Sequence, residues 1–292
     1  MPELPEVEVS RQGLLPYLVG QRIERAIFRV PRLRRALTED LAATLAGRRI
    51  VAIARRGKYL LFDCESPAAG RGEARDGDEM TDGGSQRGWL IVHLGMSGSL
   101  RLVPPGTTWQ KHDHVDLVFA DTVLRFRDPR RFGLLAWHPG TDIYAHPLLA
   151  AQGVEPLSPQ FDGDWLYAVT RRRTAPIKPL LMDSHLVVGI GNIYAAESLF
   201  LAGISPLRRA GRLTRAQCVR LAEAVRMTLL RAIAAGGSSV RDYVHSDGGA
   251  GSFQMQCAVY DRAGAPCVVC STPIRCVRQS GRSSFYCPQC QK

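Results

Sequence analysis

Between Gln21 and His138 the apolar residues come in short runs, several of them alternating with polar ones: Arg49 to Ile53, Tyr59 to Asp63, Trp89 to Leu94, Val115 to Phe119 and Val123 to Phe126. Runs of that length and period predict strands with one face on a core. Ala120, Asp121 and Thr122 predict a hairpin turn between the last two. The expected architecture is a β-sandwich or barrel. From Ser66 to Gly88 the pattern stops, and Gly, Asp, Glu, Arg, Ser and Pro replace it with almost nothing apolar. Such a composition cannot offset its ordering entropy by burial, so this stretch is expected to be a flexible surface loop.

After Pro156 the period changes. Thr214 and Gln217 have the spacing of a capping box, Leu213 can supply a hydrophobic staple, and Leu221, Val225, Leu229 and Ile233 recur every fourth residue up to Gly236 and Gly237. This predicts a well-bounded helix. A shorter helix is predicted from Asn192 to Leu201, entered through Gly189, Ile190 and Gly191 and closed by Gly203 and Pro206. A further helical pattern follows Pro2 and continues through Leu15. Proline near a helix start and acids in its first turn are common for purely structural reasons.

Gln256 to Lys292 is too short and too poor in large apolar residues to fold by burial. Cys267 and Cys270 form one C-x-x-C, Cys287 and Cys290 a second, with sixteen residues between them. Four thiolates so spaced predict one tetrahedral Zn²⁺ with no open position for substrate, hence a structural metal. Cys64, Cys218, Cys257 and Cys276 lack such a pattern and are expected to be free thiols. Between the knuckles, Arg275, Arg278 and Arg282 lie without an acid on an expected β-ribbon, where they could meet a phosphate backbone or simply form a solvated face.

Composition narrows the class. The chain of 292 residues is 45% hydrophobic and 22% charged, as in an ordinary globular protein of two or three domains. No apolar run approaches the roughly eighteen residues of a membrane span, and the first thirty residues lack the form of a secretory signal. A cytoplasmic protein is expected. The net charge of +11 favours a polyanionic partner, although basic proteins of other classes share it.

Several segments together carry a resemblance: PELPEVE from Pro2, RRGKYLL from Arg55, HLGMSGSL from His93, DPRRFG from Asp128, KPLLMD from Lys178, GIGNIYAAESLF from Gly189, and the terminal cysteines. In content and order the chain resembles the bacterial formamidopyrimidine-DNA glycosylases, or 8-oxoguanine-DNA glycosylases, over almost its whole length. The resemblance implies an α+β multidomain fold: an N-terminal catalytic β-sandwich (1–138), a helix–two-turn–helix DNA-binding domain (139–250) and a zinc-finger β-ribbon (251–292). It implies a monomeric enzyme of base excision repair that binds damaged double-stranded DNA, flips the lesion and removes an oxidised purine. By the same resemblance Pro2, exposed when Met1 is removed, attacks the sugar C1′. Glu3 then serves as general acid or base, Lys58 assists at the lesion and its phosphate, and Arg282 at phosphate elimination. His112, Arg130, Arg172 and Asn192 match contacts to the DNA backbone. Met96, Arg130 and Phe132 match side chains that fill the void left by the flipped base. Ser246 to Phe253 matches a loop that covers that base.

Three departures stand out: the length of the stretch from Ser66 to Gly88, an extra Pro176 before Lys178, and the extra Cys276. A sister branch with the same fold, endonuclease VIII, prefers oxidised pyrimidines; Leu4, Met96 and the run Arg130, Arg131, Phe132 favour the purine branch. A non-catalytic zinc-finger DNA-binding protein would explain the charge and cysteines but not Pro2, Glu3 and Lys58 together.

Overall fold

The computed structural model describes residues 1–66, 87–238 and 253–292. The chain divides into two compact units: Met1–Pro2 with Val7–Ala150, and Glu3–Glu6 with 151–238 and 253–292. Helix α1 (Leu4–Leu18) thus gives its first turn to the second unit and the rest to the first.

In the first unit the chain runs from α1 through β1 (Arg25–Phe28), α2 (Glu39–Leu45), β2 (Arg49–Arg56), β3 (Tyr59–Glu65), β4 (Arg87–His93), β5 (Ser99–Val103), β6 (Asp113–Val118), β7 (Val123–Arg127) and β8 (Leu134–Pro139) to the short α3 (Pro147–Ala150). The strands form two antiparallel sheets, β1-β6-β7-β5 and β2-β3-β4-β8. Between them lies the sandwich core: Ile50, Leu60, Phe62, Leu90, Val92 and Leu135 from one sheet, Leu100, Val115, Leu117, Leu124 and Phe126 from the other, and Val7, Leu14 and Leu18 from α1. Each such side chain contributes about 1.5–3 kcal/mol by leaving water. The unbroken apolar run of β3 has its own cause. Leu60 and Phe62 face the sandwich, while Leu61 on the opposite face packs with Ile91 and Leu134 beneath Ile143 and Leu149, so both faces are covered.

The β6–β7 hairpin turns at the expected residues, with Val118 opposite Val123 and the Phe119 N–H donating to the Thr122 carbonyl at 2.9 Å. Two expectations are corrected. The region read as strands also holds α2, started by Thr38, whose hydroxyl accepts from the Leu41 N–H. And the interruption does not extend to Gly88: Arg87 and Gly88 pair with Glu65 and Cys64 as the start of β4. Gly88 is required there, because a Cβ would lie 2.1 Å from the Trp137 ring. Residues 67–86, the rest of the expected loop, lie outside the described residues.

The second unit carries α4 (Gly163–Thr170), α5 (Ile177–Leu181), α6 (Asn192–Leu201), α7 (Arg215–Ala234) and the hairpin β9 (Arg275–Gln279) with β10 (Arg282–Tyr286). Between α5 and α6 the chain turns at Asp183, whose carbonyl accepts from both the Leu186 and Val187 N–H groups. Helix α7 starts at the expected capping box of Thr214 and Gln217 and buries Leu221, Val225 and Leu229. The β9–β10 hairpin turns through Ser280 and Gly281, both at positive φ (47° and 78°), the conformation a two-residue hairpin loop needs. Behind it Val259, Ile274 and Phe285 pack with Ala196 of α6 and with Cys267 and Cys287. Among the described residues no helix is long and apolar enough to cross a membrane.

Candidate functional site

The chemistry begins at the first turn of α1. Glu3 and Glu6 are buried carboxylates, and both are fully engaged. Glu3 accepts from the Gly191 N–H (2.6 Å) and the Ile193 N–H (3.1 Å), so it caps α6, whose N-cap Gly191 offers no side chain of its own. The positive end of a helix favours a carboxylate there. Two glycines make the approach possible: a Cβ at Gly191 would lie 2.3 Å from the Glu3 carboxyl carbon, and Gly189, at φ +84°, stands against the Leu4 side chain. Glu6 accepts from the Glu3 N–H (2.7 Å) and, on its other oxygen, from the Tyr194 hydroxyl (2.5 Å), the Ser238 N–H (2.8 Å) and the Ser238 hydroxyl (3.0 Å). Burial first, and then the Glu6 charge, push the Tyr194 hydroxyl well above its ordinary range, so it remains a donor. Sequence reasoning assigned Glu6 no role.

Lys178 was also missed. Its side chain is buried, with Nζ donating to Asn192 Oδ1 (2.7 Å), the Ser283 carbonyl (2.9 Å) and Ser284 Oγ (2.7 Å). Asn192 Nδ2 donates to the same Ser283 carbonyl at 3.0 Å, so the lysine joins the start of α6 to β10. Burial lowers its pKa to about 8; Glu3 counters this, and Arg282 adds to it. Arg282 is exposed at the first position of β10, beside a cavity of about 250 Å³ also lined by Lys178, Met182, Gln279 and Ser284. The extra Pro176 is the N-cap of α5 and leaves Lys178 in place. Arg172 is exposed in the turn after α4.

In the first unit, Lys58 follows Gly57 (φ 55°) in the β2–β3 turn. His93 carries the effect of its charge: burial first, then Lys58 and Arg34, lower the imidazole to about 4, and its Nδ1 accepts from the Gly95 N–H at 2.9 Å. Met96, Arg130 and Phe132 come together. Asp128, fully buried, accepts from Ser97 Oγ (2.7 Å), the Arg130 N–H (3.3 Å) and the Gly133 N–H (2.7 Å), clamping both turns to one carboxylate. Gly95 lets the backbones meet, since a Cβ there would lie 2.4 Å from the Phe132 carbonyl carbon. Met96 and Phe132 remain 38% and 46% exposed, with the Arg130 guanidinium 4.9 Å from the Phe132 ring centroid. His112 is held at φ 78°, its carbonyl accepting from the Asp128 N–H. Pro2 is buried. Of the stretch from Ser246 to Phe253, only Phe253 lies within the described residues.

The four knuckle cysteines converge, their sulfurs all within 4.8 Å of one another, with Cys267 to Cys290 at 3.9 Å and Cys270 to Cys287 at 3.5 Å. A tetrahedron with Zn–S bonds of about 2.3 Å has edges of about 3.8 Å, so the set fits Zn²⁺. Bound Zn²⁺ would take all four as thiolates. Cys64, Cys218 and Cys257 are buried free thiols and Cys276 is an exposed one.

Three family models match the chain: the formamidopyrimidine-DNA glycosylase N-terminal domain over residues 1–135, the formamidopyrimidine-DNA glycosylase H2TH domain over 152–244, and the zinc finger found in FPG and IleRS over 264–292. The finger holds one structural zinc ion. Formamidopyrimidine-DNA glycosylases of Dechloromonas aromatica and Cupriavidus pinatubonensis are 58% and 53% identical to it, with 100% of both chains covered in each case. The MutM (FPG) protein of Thermus thermophilus superposes with a TM-score of 0.82 at 38% identity, covering 99% of this chain and 98% of that one. A Lactococcus lactis FPG variant, solved with a Fapy-dG containing DNA, superposes at 0.86 and 34% identity over 100% of both chains. With these matches spanning fold, metal site and the buried glutamates alike, the chain belongs to the formamidopyrimidine-DNA glycosylase family.

Proposed function

We propose that this chain is a bifunctional DNA glycosylase and AP lyase that excises oxidised purines, 8-oxoguanine and formamidopyrimidines, from duplex DNA in base excision repair. The supporting observation is the acid next to Pro2: Glu3 is buried and fixed on two N–H groups at the start of α6, so the residue that follows the proposed nucleophile cannot wander. Once Met1 is removed, Pro2 presents a secondary α-amine. Terminal amines have pKa values of about 7.7–8.0, so a sizeable fraction is neutral at physiological pH. Its nitrogen attacks C1′ and the damaged base leaves. Ring opening gives an iminium that has no N–H proton to lose, so its charge persists as an electron sink. Loss of a C2′ proton then expels the 3′ phosphate, and a second elimination expels the 5′ phosphate, with Glu3 and Lys58 moving protons and Arg282 receiving phosphate charge.

His112, Arg130, Arg172 and Asn192 bind the backbone, and Met96, Arg130 and Phe132 fill the space the flipped nucleotide vacates. In this reading residues 1–138 carry the chemistry, 139–250 the DNA-binding helices and 251–292 the finger, and the protein works in the cytoplasm on the bacterial chromosome. Borohydride trapping on an 8-oxoguanine duplex tests it. The expected adduct maps by mass spectrometry to the processed N-terminal proline. An adduct elsewhere, or normal trapping by Pro2→Gly that retains Met1, overturns the mechanism. Preference for thymine glycol over 8-oxoguanine overturns the substrate, an arm worth running because a Lactococcus lactis relative has been solved with an oxidised-pyrimidine DNA.

A further inference from the structure

Trp109 lies between β5 and β6 and is 57% exposed, whereas Trp89, Trp137 and Trp165 are half-buried. Indole is costly to leave in water, and the loop that carries this one is pinned from below. The Arg125 guanidinium donates to the Thr107 carbonyl (3.0 Å) and the Thr108 carbonyl (3.2 Å) while held by both oxygens of Asp116 at 2.9 Å. On the other side the Gln110 N–H donates to Asp113 Oδ2 at 2.8 Å. Arg29 reaches Asp116 at 2.5 Å and sets its guanidinium carbon 5.5 Å from the indole centroid.

Charge says what such a surface faces. Asp113 and Asp116 are buried and already paired with Arg125, Arg127 and Arg29. The segment and the sheet positions beneath it carry five fixed cations, Arg29, Arg101, Lys111, Arg125 and Arg127, against those two acids. Lys111 is exposed immediately before His112, whose carbonyl is tied to Asp128 and hence to the turn that presents Arg130 and Phe132. A solvent-facing aromatic beside an exposed lysine is the pattern of a nucleic-acid contact: the ring packs on a sugar and the cation neutralises the adjoining phosphate.

We infer that Trp109, with Lys111 beside it, forms a further contact with the sugar–phosphate backbone of duplex DNA and extends the footprint beyond the motif positions. This rests on the glycosylase reading above. The test uses full-length zinc-loaded protein and a duplex carrying a tetrahydrofuran abasic analogue, which binds without turnover. Trp109→Ala raises Kd about ten-fold and Trp109→Phe restores most of it. Lys111→Ala lowers the slope of log K against log salt by about one. Tyr17→Ala, which removes an equally exposed aromatic at the end of α1, leaves Kd unchanged. The acrylamide-quenchable fluorescence that Trp109→Ala lacks becomes protected in the wild-type complex.

A Trp109→Ala protein that binds within two-fold of wild type, together with an indole still quenched in the complex, overturns the contact while excision of 8-oxoguanine by the wild type leaves the glycosylase reading standing. Wild-type protein that neither binds the duplex nor excises 8-oxoguanine removes that reading, and this contact with it.

Discussion

The β-sandwich and the zinc ribbon are both antiparallel, yet different forces hold them. In the sandwich, Phe62, Leu90, Leu117, Phe126 and their neighbours are buried from two sheets and a helix, and the loops that carry Met96, His112 and Phe132 ride on that apolar interior. Behind the ribbon, among the described residues, the cluster is smaller, with Val259, Ile274 and Phe285 buried beside Ala196, and two of its members, Cys267 and Cys287, are metal ligands. A small module short of apolar surface must draw its folding energy from elsewhere, and a structural zinc supplies roughly 10–16 kcal/mol. The contrast teaches where function is vulnerable: the ribbon presents Arg282 and the Ser283 and Ser284 acceptors that hold Lys178. Loss of the metal is therefore expected to disable the ribbon while the sandwich stays folded.

The sharpest way to break the comparison is Cys267→Ser. It should lose the metal and, with it, excision by more than about a thousand-fold, since Lys178 and Arg282 lose their scaffold. Elemental analysis and far-ultraviolet circular dichroism decide: strand signal that melts together with the metal would mean the sandwich also depends on the finger.

Glu6→Gln comes next. Replacing a buried, four-times-bonded carboxylate turns one acceptor into a donor facing other donors, costing about 3–5 kcal/mol of stability. Displacement of Glu3 and Pro2 should slow single-turnover excision about a hundred-fold. Urea titration with unchanged zinc content separates this from damage to the finger; an excision rate within a few-fold of wild type would show that Glu6 merely fills space.

A smaller and graded effect is expected from pH. Lys178 keeps its charge below about pH 8, so excision should fall about ten-fold per unit above that value. Stability responds with the opposite sign. The folded pKa lies below the ordinary lysine value of 10.5, so between about 8 and 10.5 the unfolded chain binds more protons and this group's contribution to stability rises with pH. Lys178→Met should be slow at every pH and lack that alkaline limb; a limb that survives the substitution belongs to another group.

The smallest effect belongs to the polar stretch between β3 and β4. Replacing residues 67–86 with a short turn should change excision less than about two-fold, because the segment lacks apolar residues and matches no motif. A folded deletion with a large loss of rate would add a working element to the sandwich side.

What could be read from the chain follows the same division. The zinc site was legible because its ligands are local, two and two within a short stretch, and Thr214 with Gln217 marked a helix start for the same reason. Strands β3, β4, β6 and β7, paired on both sides, declared themselves by apolar runs, and β2 did so from an edge. The other edge strands β1, β5 and β8 did not, since one-sided pairing constrains their sequence less. Glu6 and Lys178 were illegible in principle from local pattern. Glu6 meets Tyr194, 188 residues away, and Lys178 meets Ser284, 106 residues away, so nothing near either residue signals its partners. Asp128 lies in the DPRRFG motif, but the motif does not show that its carboxylate joins two turns, since Ser97, 31 residues away, shares it with Gly133.

That clamp bears on how the enzyme searches. Because Asp128 fixes the Met96 and Phe132 turns in the free protein, the wedge they form in the proposed function is assembled before DNA arrives. Its ordering entropy is spent once, during folding, and not again at every encounter. In that proposed role the protein would meet each base pair without rebuilding its own loops, and how readily the pair opens would then decide the encounter.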